Sequence, residues 1–356
     1  MEELAAWGPS SLTILPTYRC TAACQECCFE CHPKLDSPQI SIDRIVNYID
    51  QAATSFPDSL KLVVFSGGEC FLLGDDLVTA VSRAHAHNLL VRCVSNGYWG
   101  TSRHAARKRI RPLAEAGLTE LNISTGDDHQ KYVPFERVVN AAIEAALADV
   151  EVLIVIEGHE SSHFKLDNLL HHERLMDFVR NDPKGKHILW MNNIWIPFHA
   201  DREIQPFAEA VRSEDHVNEL SGCDNVILNP VITPHQQFSS CCGLTMEHIP
   251  EMKMGRLSST NFADLYRKQF QDFMKIWINV EGPERIMKFA VDHDESLTFP
   301  GGNTHPCETC AQVYRNPRIQ DVLRKHWHEV EDRVLFQFAL KQELQQLPKI
   351  PMAGSY

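Results

Sequence analysis

Five cysteines crowd one short stretch of this 356-residue chain: Cys20, Cys24 and Cys27 as a CxxxCxxC triplet, then Cys28 and Cys31. They follow the apolar run Leu12-Thr13-Ile14-Leu15, so the thiols sit on a loop leaving an expected strand. Three thiolates so spaced can hold three irons of a [4Fe-4S] cube, leaving the fourth iron an open position for substrate or cofactor. The CxxCxxC run of electron-carrying ferredoxins is spaced differently, and its clusters are fully ligated by cysteine. A zinc site is the other use of clustered thiols inside a cell.

A second constellation lies far downstream, in Cys223, Cys241 or Cys242, and the CxxC pair Cys307 and Cys310. Four such thiols suffice for one fully ligated cluster or a structural zinc, and either Cys241 or Cys242 can complete the set. Outside the cysteines the densest titratable group is Asp127-Asp128-His129, which suits acid, base or substrate-anchoring work, with capping of a short turn as the plainer use of either aspartate.

The turn Ser66-Gly67-Gly68-Glu69 ends the next expected strand. Two glycines let backbone approach a ligand closely, and a carboxylate beyond them can accept from an ammonium group. Placed one βα unit after the triplet, this turn makes the chain resemble the radical S-adenosylmethionine (radical SAM) enzymes. Two departures are visible: Glu26 stands where the family often has an aromatic residue, and Cys70 where many members have proline.

The resemblance implies a site. Cys20, Cys24 and Cys27 would bind a [4Fe-4S] cluster whose open iron chelates S-adenosylmethionine (SAM). Electron transfer would cleave SAM to a 5'-deoxyadenosyl radical that abstracts hydrogen from a substrate. Gly67, Gly68 and Glu69 would hold the methionine amino group. Ser95, Asn96 and Ser124 would contact the carboxylate or ribose, with Ser124 first choice for the ribose, and Ile156 and Gly158 match part of an adenine-contacting motif. Asp127, Asp128, His129 and Cys70 are the candidate catalytic residues, Cys70 as hydrogen-atom donor or simply as a small neutral neighbour. Cys93 reads as a core thiol.

The downstream cysteines resemble the Twitch subdomain, a shortened SPASM extension, which carries an auxiliary [4Fe-4S] cluster; zinc is the alternative there. The segment from Asn229 to Pro234 fits its hairpin, although His235-Gln236-Gln237 stands where a glycine is usual. His305 is placed to support Cys307. The implied substrate is a peptide in ribosomal peptide maturation, or alternatively a sugar or aminocyclitol undergoing radical dehydrogenation or epimerisation. A non-catalytic metal-stabilised binding module is the reading from another class. Expected partners are an electron donor such as flavodoxin or ferredoxin, the substrate, and a separate leader-peptide-binding protein, because the first strand starts by residue 12.

These residues need elements to position them. Short β-branched runs predict strands over 12–15, 61–65, 89–94, 118–124, 150–156 and 188–196. Amphipathic stretches predict helices over 41–53 with Ser41 as cap, about 77–84, 102–116 with Gly117 as stop, 134–147 and 169–179. Strict alternation indicates an α/β parallel sheet with functional groups at the strands' C-terminal ends. The family resemblance selects a partial (β/α)6 TIM-like barrel, with a small cysteine-containing extension and a terminal helix. The expected division is 1–200 for the barrel, 201–318 for the auxiliary metal region and 319–356 for a helix, packing through Leu323, Trp327, Val330, Val334 and Leu335, with a frayed tail from Pro348.

Composition excludes several classes. A formal net charge of -13 argues against a generic nucleic-acid binder, and the basic run from Arg103 to Arg111 reads as the solvated face of a helix. No apolar run reaches membrane-spanning length and no secretory signal opens the chain, which points to the cytoplasm and to metal binding rather than disulfides as the use of twelve cysteines.

Overall fold

The computed structural model describes residues 7–196 and 205–346. Six parallel strands form first: β1 (Ser11–Ile14), β2 (Leu62–Phe65), β3 (Leu90–Ser95), β4 (Glu120–Thr125), β5 (Glu151–Gly158) and β6 (Ile188–Ile194). They lie in the order β6-β5-β4-β3-β2-β1, each beside its predecessor in the chain. A doubly wound sheet reverses direction part-way, whereas this order never does, so the sheet is singly wound and curls as a partial barrel.

Helices connect the strands along its outer face: α1 (Ile42–Ser55), α2 (Asp75–Ala86), α3 (Arg103–Glu115), the single turn α4 (Asp127–Gln130), α5 (Phe135–Leu147), α6 (Leu166–Leu170) and α7 (Glu173–Asn181). Strand alternation decides which layer is the core. Leu12, Ile14, Val63, Phe65, Val91, Cys93, Leu121, Ile123 and Ile154 are wholly buried, and each such side chain contributes about 1.5–3 kcal/mol by leaving water. Their neighbours Ser11, Thr13, Leu62, Val64, Arg92, Val94, Asn122 and Ser124 instead line a cavity inside the barrel.

The C-terminal half continues the same sheet. After a short irregular turn, α8 (Asn225–Leu228), strand β7 (Asn229–Ile232) pairs parallel with β1. β8 (Gln237–Cys241) and β9 (Lys253–Arg256) follow antiparallel, giving a nine-stranded sheet. Five helices then cover this side: α9 (Phe262–Lys268), α10 (Phe273–His293), α11 (Pro306–Arg315), α12 (Pro317–His326) and α13 (Glu331–Gln346).

Several expectations need correction. The long α10 gives no clear signal in the sequence because Gly282, at φ 80°, and Pro283 break its pattern. The predicted terminal helix is two helices, α12 and α13, separated by the 3-10 turn Trp327–Glu329, and Trp327 is 36% exposed rather than core. The predicted helix over 169–179 is likewise two, because His172 caps α7 by accepting the Leu175 N–H through Nδ1. Ser41 sits at the start of α1, but its hydroxyl makes no capping bond. The basic run on α3 is not merely solvated: Arg103 and Arg107 pair with the buried Glu144 of α5, and Arg109 donates to the Phe71 and Gly74 carbonyls. The tail from Pro348 and the division near residue 200 lie outside the described residues.

Candidate active site

The loop bearing the triplet is held at the C-terminal ends of β1 and β2. The Gly68 N–H donates to Thr17 O at 2.9 Å and the Glu69 N–H to Arg19 O at 3.0 Å. This contact is what the two glycines serve: a Cβ on Gly68 would lie 2.1 Å from Arg19 O, and Gly67, at φ +110°, would bring one within 2.7 Å of Thr17 O. The sequence suggests room for a ligand; the structure shows room for the cysteine loop itself.

Glu69 is likewise used differently from expectation. Its carboxylate is fully buried, accepting from Phe71 N–H (3.0 Å), Asn96 N–H (3.0 Å) and Ser95 Oγ (3.1 Å), and so ties the glycine turn to the end of β3. Burial pushes its pKa up to about 7, held back by those donors. It does not line the cavity, whereas Gly67, Gly68, Ser95 and Asn96 do.

That cavity, about 650 Å³, is also walled by Cys20, Cys24, Cys27, Cys28, Cys31 and Ser124. N–H donors point at the sulfurs: Ala22 N–H and Asn96 Nδ2 at Cys20 Sγ (3.4 and 3.6 Å), and Cys31 N–H at Cys27 Sγ (3.4 Å). Burial raises Cys20 to about 12, while the Cys31 thiol, donating to Cys27, lowers that group to about 6. Such donors tune a metal-bound thiolate, so the residues fit a cluster in donor set and in support.

Of the three candidates after β4, only His129 reaches the cavity. Asp128 accepts the Gln25 N–H at 3.0 Å and, with Tyr132 Oη donating to Ala23 O at 2.8 Å, clamps the cysteine loop from outside. Asp127 accepts from the His163 and Phe164 N–H groups at 2.7 and 2.8 Å. Burial would raise its pKa, but these donors outweigh it and hold the carboxyl below the usual range. Both aspartates are fasteners. Cys70 turns into the core, its thiol 3.3 Å from Val94 O, and lines no wall.

Ile156 and Gly158 also miss the cavity, because on β5 they point to the helix layer and the residue between them, Glu157, points inward. Sequence reasoning misses Glu157, although counting in steps of two from Leu153 finds it. Burial raises its pKa, and its Oε2 lies 3.8 Å from His129 Nδ1. The His129 ring stacks on Trp195 at 5.7 Å.

Comparison with known proteins bears on this arrangement. Residues 14–156 match the model of the Radical SAM superfamily, a span that includes the triplet, the glycine turn and β2 through most of β5. This stretch is a radical SAM domain. The family implies a [4Fe-4S] cluster and SAM. YydG of Bacillus subtilis (strain 168), named for peptide biosynthesis, is 26% identical over 124 residues, 34% of this chain and 37% of its own. The chain thus matches just over a third of that relative's length. The solved structure of native anSMEcpe with bound AdoMet covers 89% of this chain and 100% of its own at 15% identity, TM-score 0.52. A histidine-tagged form of the same protein covers 89% and 99% at 14% identity, TM-score 0.50. These two likenesses are of fold.

Beyond the radical SAM domain, the second group of thiols assembles. Cys223, Cys241, Cys307 and Cys310 surround a small apolar cavity of about 20 Å³. Cys242 instead faces the large cavity, so the two adjacent cysteines are divided between the sites. Burial raises the pKa of all four, Cys307 to about 11, so a metal entering here displaces protons. His305 caps α11 and accepts the Cys307 N–H at 3.2 Å through Nδ1, and burial, then Arg212, lowers its pKa to about 4.

Proposed function

We propose that this protein is a radical SAM enzyme in which Cys20, Cys24 and Cys27 hold the catalytic [4Fe-4S] cluster. One observation carries the reading: these thiols share a cavity wall with Gly67, Gly68, Ser95, Asn96 and Ser124, all at the strands' C-terminal ends. When bound and reduced, the cluster would supply the electron that cleaves SAM to a 5'-deoxyadenosyl radical. The protein's own work is positional. Gly67, Gly68 and Asn96 form the cavity wall beside the triplet, where the methionine end would lie, and Ser124, with Glu157 and His129, offers partners for the ribose hydroxyls. The apolar wall from Leu15, Val64, Val94 and Trp195 keeps water from the radical.

We assign Cys223, Cys241, Cys307 and Cys310 to a second cluster. Tetrahedral zinc with Zn–S near 2.3 Å would hold its sulfurs about 3.8 Å apart. Among the described residues no three thiols lie within 4.8 Å of one another, a wider spacing than that, but the space between these four is only about 20 Å³, so a structural zinc stands as the second reading. For the substrate we propose a peptide, supported by the name of the YydG relative, with flavodoxin or ferredoxin as the class of electron donor.

Anaerobically reconstituted and reduced protein is expected to convert SAM to 5'-deoxyadenosine, read by liquid chromatography. A correctly loaded cluster that yields none overturns the assignment.

A further inference from the structure

Away from both thiol groups, one more set of metal-ligating side chains converges. His293 ends α10, His326 ends α12, and Glu329 closes the turn leading into α13. The carboxylate spans the two rings, with Oε2 3.0 Å from His293 Nε2 and Oε1 2.7 Å from His326 Nδ1. Among the described residues this is the one trio of His, Cys, Asp or Glu whose ligand atoms all fall within 4.8 Å.

The surroundings prepare one ring for ligation. His293 Nδ1 lies 2.8 Å from the Phe289 carbonyl, which accepts the proton there, so Nε2, which donates to Glu329 while the ring is charged, is the nitrogen that a metal would take in place of its proton. A backbone carbonyl behind the imidazole is the support that metal-binding histidines commonly have. The ring also rests on Phe289, with centroids 4.2 Å apart. The three side chains are 23%, 36% and 44% exposed, so an ion can reach them from solvent.

We propose that His293, His326 and Glu329 bind a divalent first-row transition ion, zinc by preference, at a site separate from the radical chemistry. Two imidazoles and one carboxylate suit zinc and disfavour calcium or magnesium, which take oxygen ligands. Zinc bonds of about 2.0–2.2 Å would set neighbouring ligand atoms about 3.3 Å apart, close to the two His–Glu separations already present. The ion would join the ends of α10 and α12 to the start of α13. Because α10 packs along α11, which carries Cys307 and Cys310, it would brace the helical layer behind the second thiol group. Without an ion, the same contacts are surface His–Glu pairs, which contribute little to stability.

The full chain, with its iron-sulfur content loaded anaerobically, is dialysed against zinc and compared with a His293→Ala/His326→Ala variant and with Glu329→Gln. The wild type is expected to retain one zinc more per chain than the double variant, and Glu329→Gln to release that zinc at lower chelator concentration. X-ray absorption at the zinc edge should show nitrogen and oxygen neighbours. Equal zinc in wild type and a folded double variant overturns the proposal. Should that variant fail to fold, a wild-type zinc shell made only of sulfur does the same.

Discussion

The two thiol groups differ in how much of the fold each needs. Cys20, Cys24 and Cys27 lie on one loop, partly exposed, on the wall of a cavity of about 650 Å³. Cys223, Cys241, Cys307 and Cys310 come from the approach to α8, the end of β8 and the first turns of α11, around a space of about 20 Å³. A site that must admit a cofactor and a substrate keeps one side open, whereas one that serves structure or electron passage is best closed on every side. The open site is made by local spacing and the closed one by tertiary packing. They meet where Cys242 turns from the second group to the first cavity and where His248 Nε2 lies 3.1 Å from the Cys28 carbonyl.

The sharpest way to break this contrast is to remove one thiol from each group. Cys24→Ala should reduce 5'-deoxyadenosine formation to background. Cys310→Ala should lower bound iron by about four atoms per chain, the content of one cube, yet leave SAM cleavage measurable. Equal loss of SAM cleavage in both variants would mean that the two sites do not work independently.

Next in size is the coupling of the open loop to its support. Gly68→Ala forces a methyl group to within 2.1 Å of Arg19 O, which should cost about 3 kcal/mol in denaturant unfolding. Iron should fall preferentially from the first group, whose loop is displaced. Unchanged stability would show that the loop is not held by this turn.

The smallest effect expected is at Asp127, which fastens the neighbouring loop by accepting from His163 and Phe164. Asp127→Asn should cost about 1–2 kcal/mol near neutral pH. The folded carboxyl is held below its ordinary range, so the stability it contributes is present above about pH 4 and is lost as pH falls through the folded value. The gap between wild type and variant should therefore close in acid; urea titrations across that range would test it, and a gap that widens would contradict the role.

Much of the barrel is legible in the sequence because its signals are local. The six parallel strands each appear as a short apolar run ending in polar or glycine residues, and the triplet and glycine turn carry their meaning in spacing alone. Less is legible where one residue's direction matters. Glu157, between Ile156 and Gly158, faces the cavity only because the strand's pleat turns it inward, and Asp127 and Asp128 face loops because the short α4 points them there. The helices after residue 256 are poorly marked by pattern, since Gly282-Pro283 interrupts α10 and the turn at Trp327–Glu329 interrupts the last amphipathic stretch.

By itself the sequence determined the alternating α/β order, the thiol loop and the turn that receives it, since each depends on residues a few positions apart. Only the tertiary structure decided that β7 joins β1, that Cys241 and Cys242 line different cavities, that Glu69 is spent on donors from Phe71, Ser95 and Asn96, and that His293, His326 and Glu329 meet. The reason is physical: local spacing specifies how a segment can bend and bind, but which distant groups converge depends on the burial of many side chains at once.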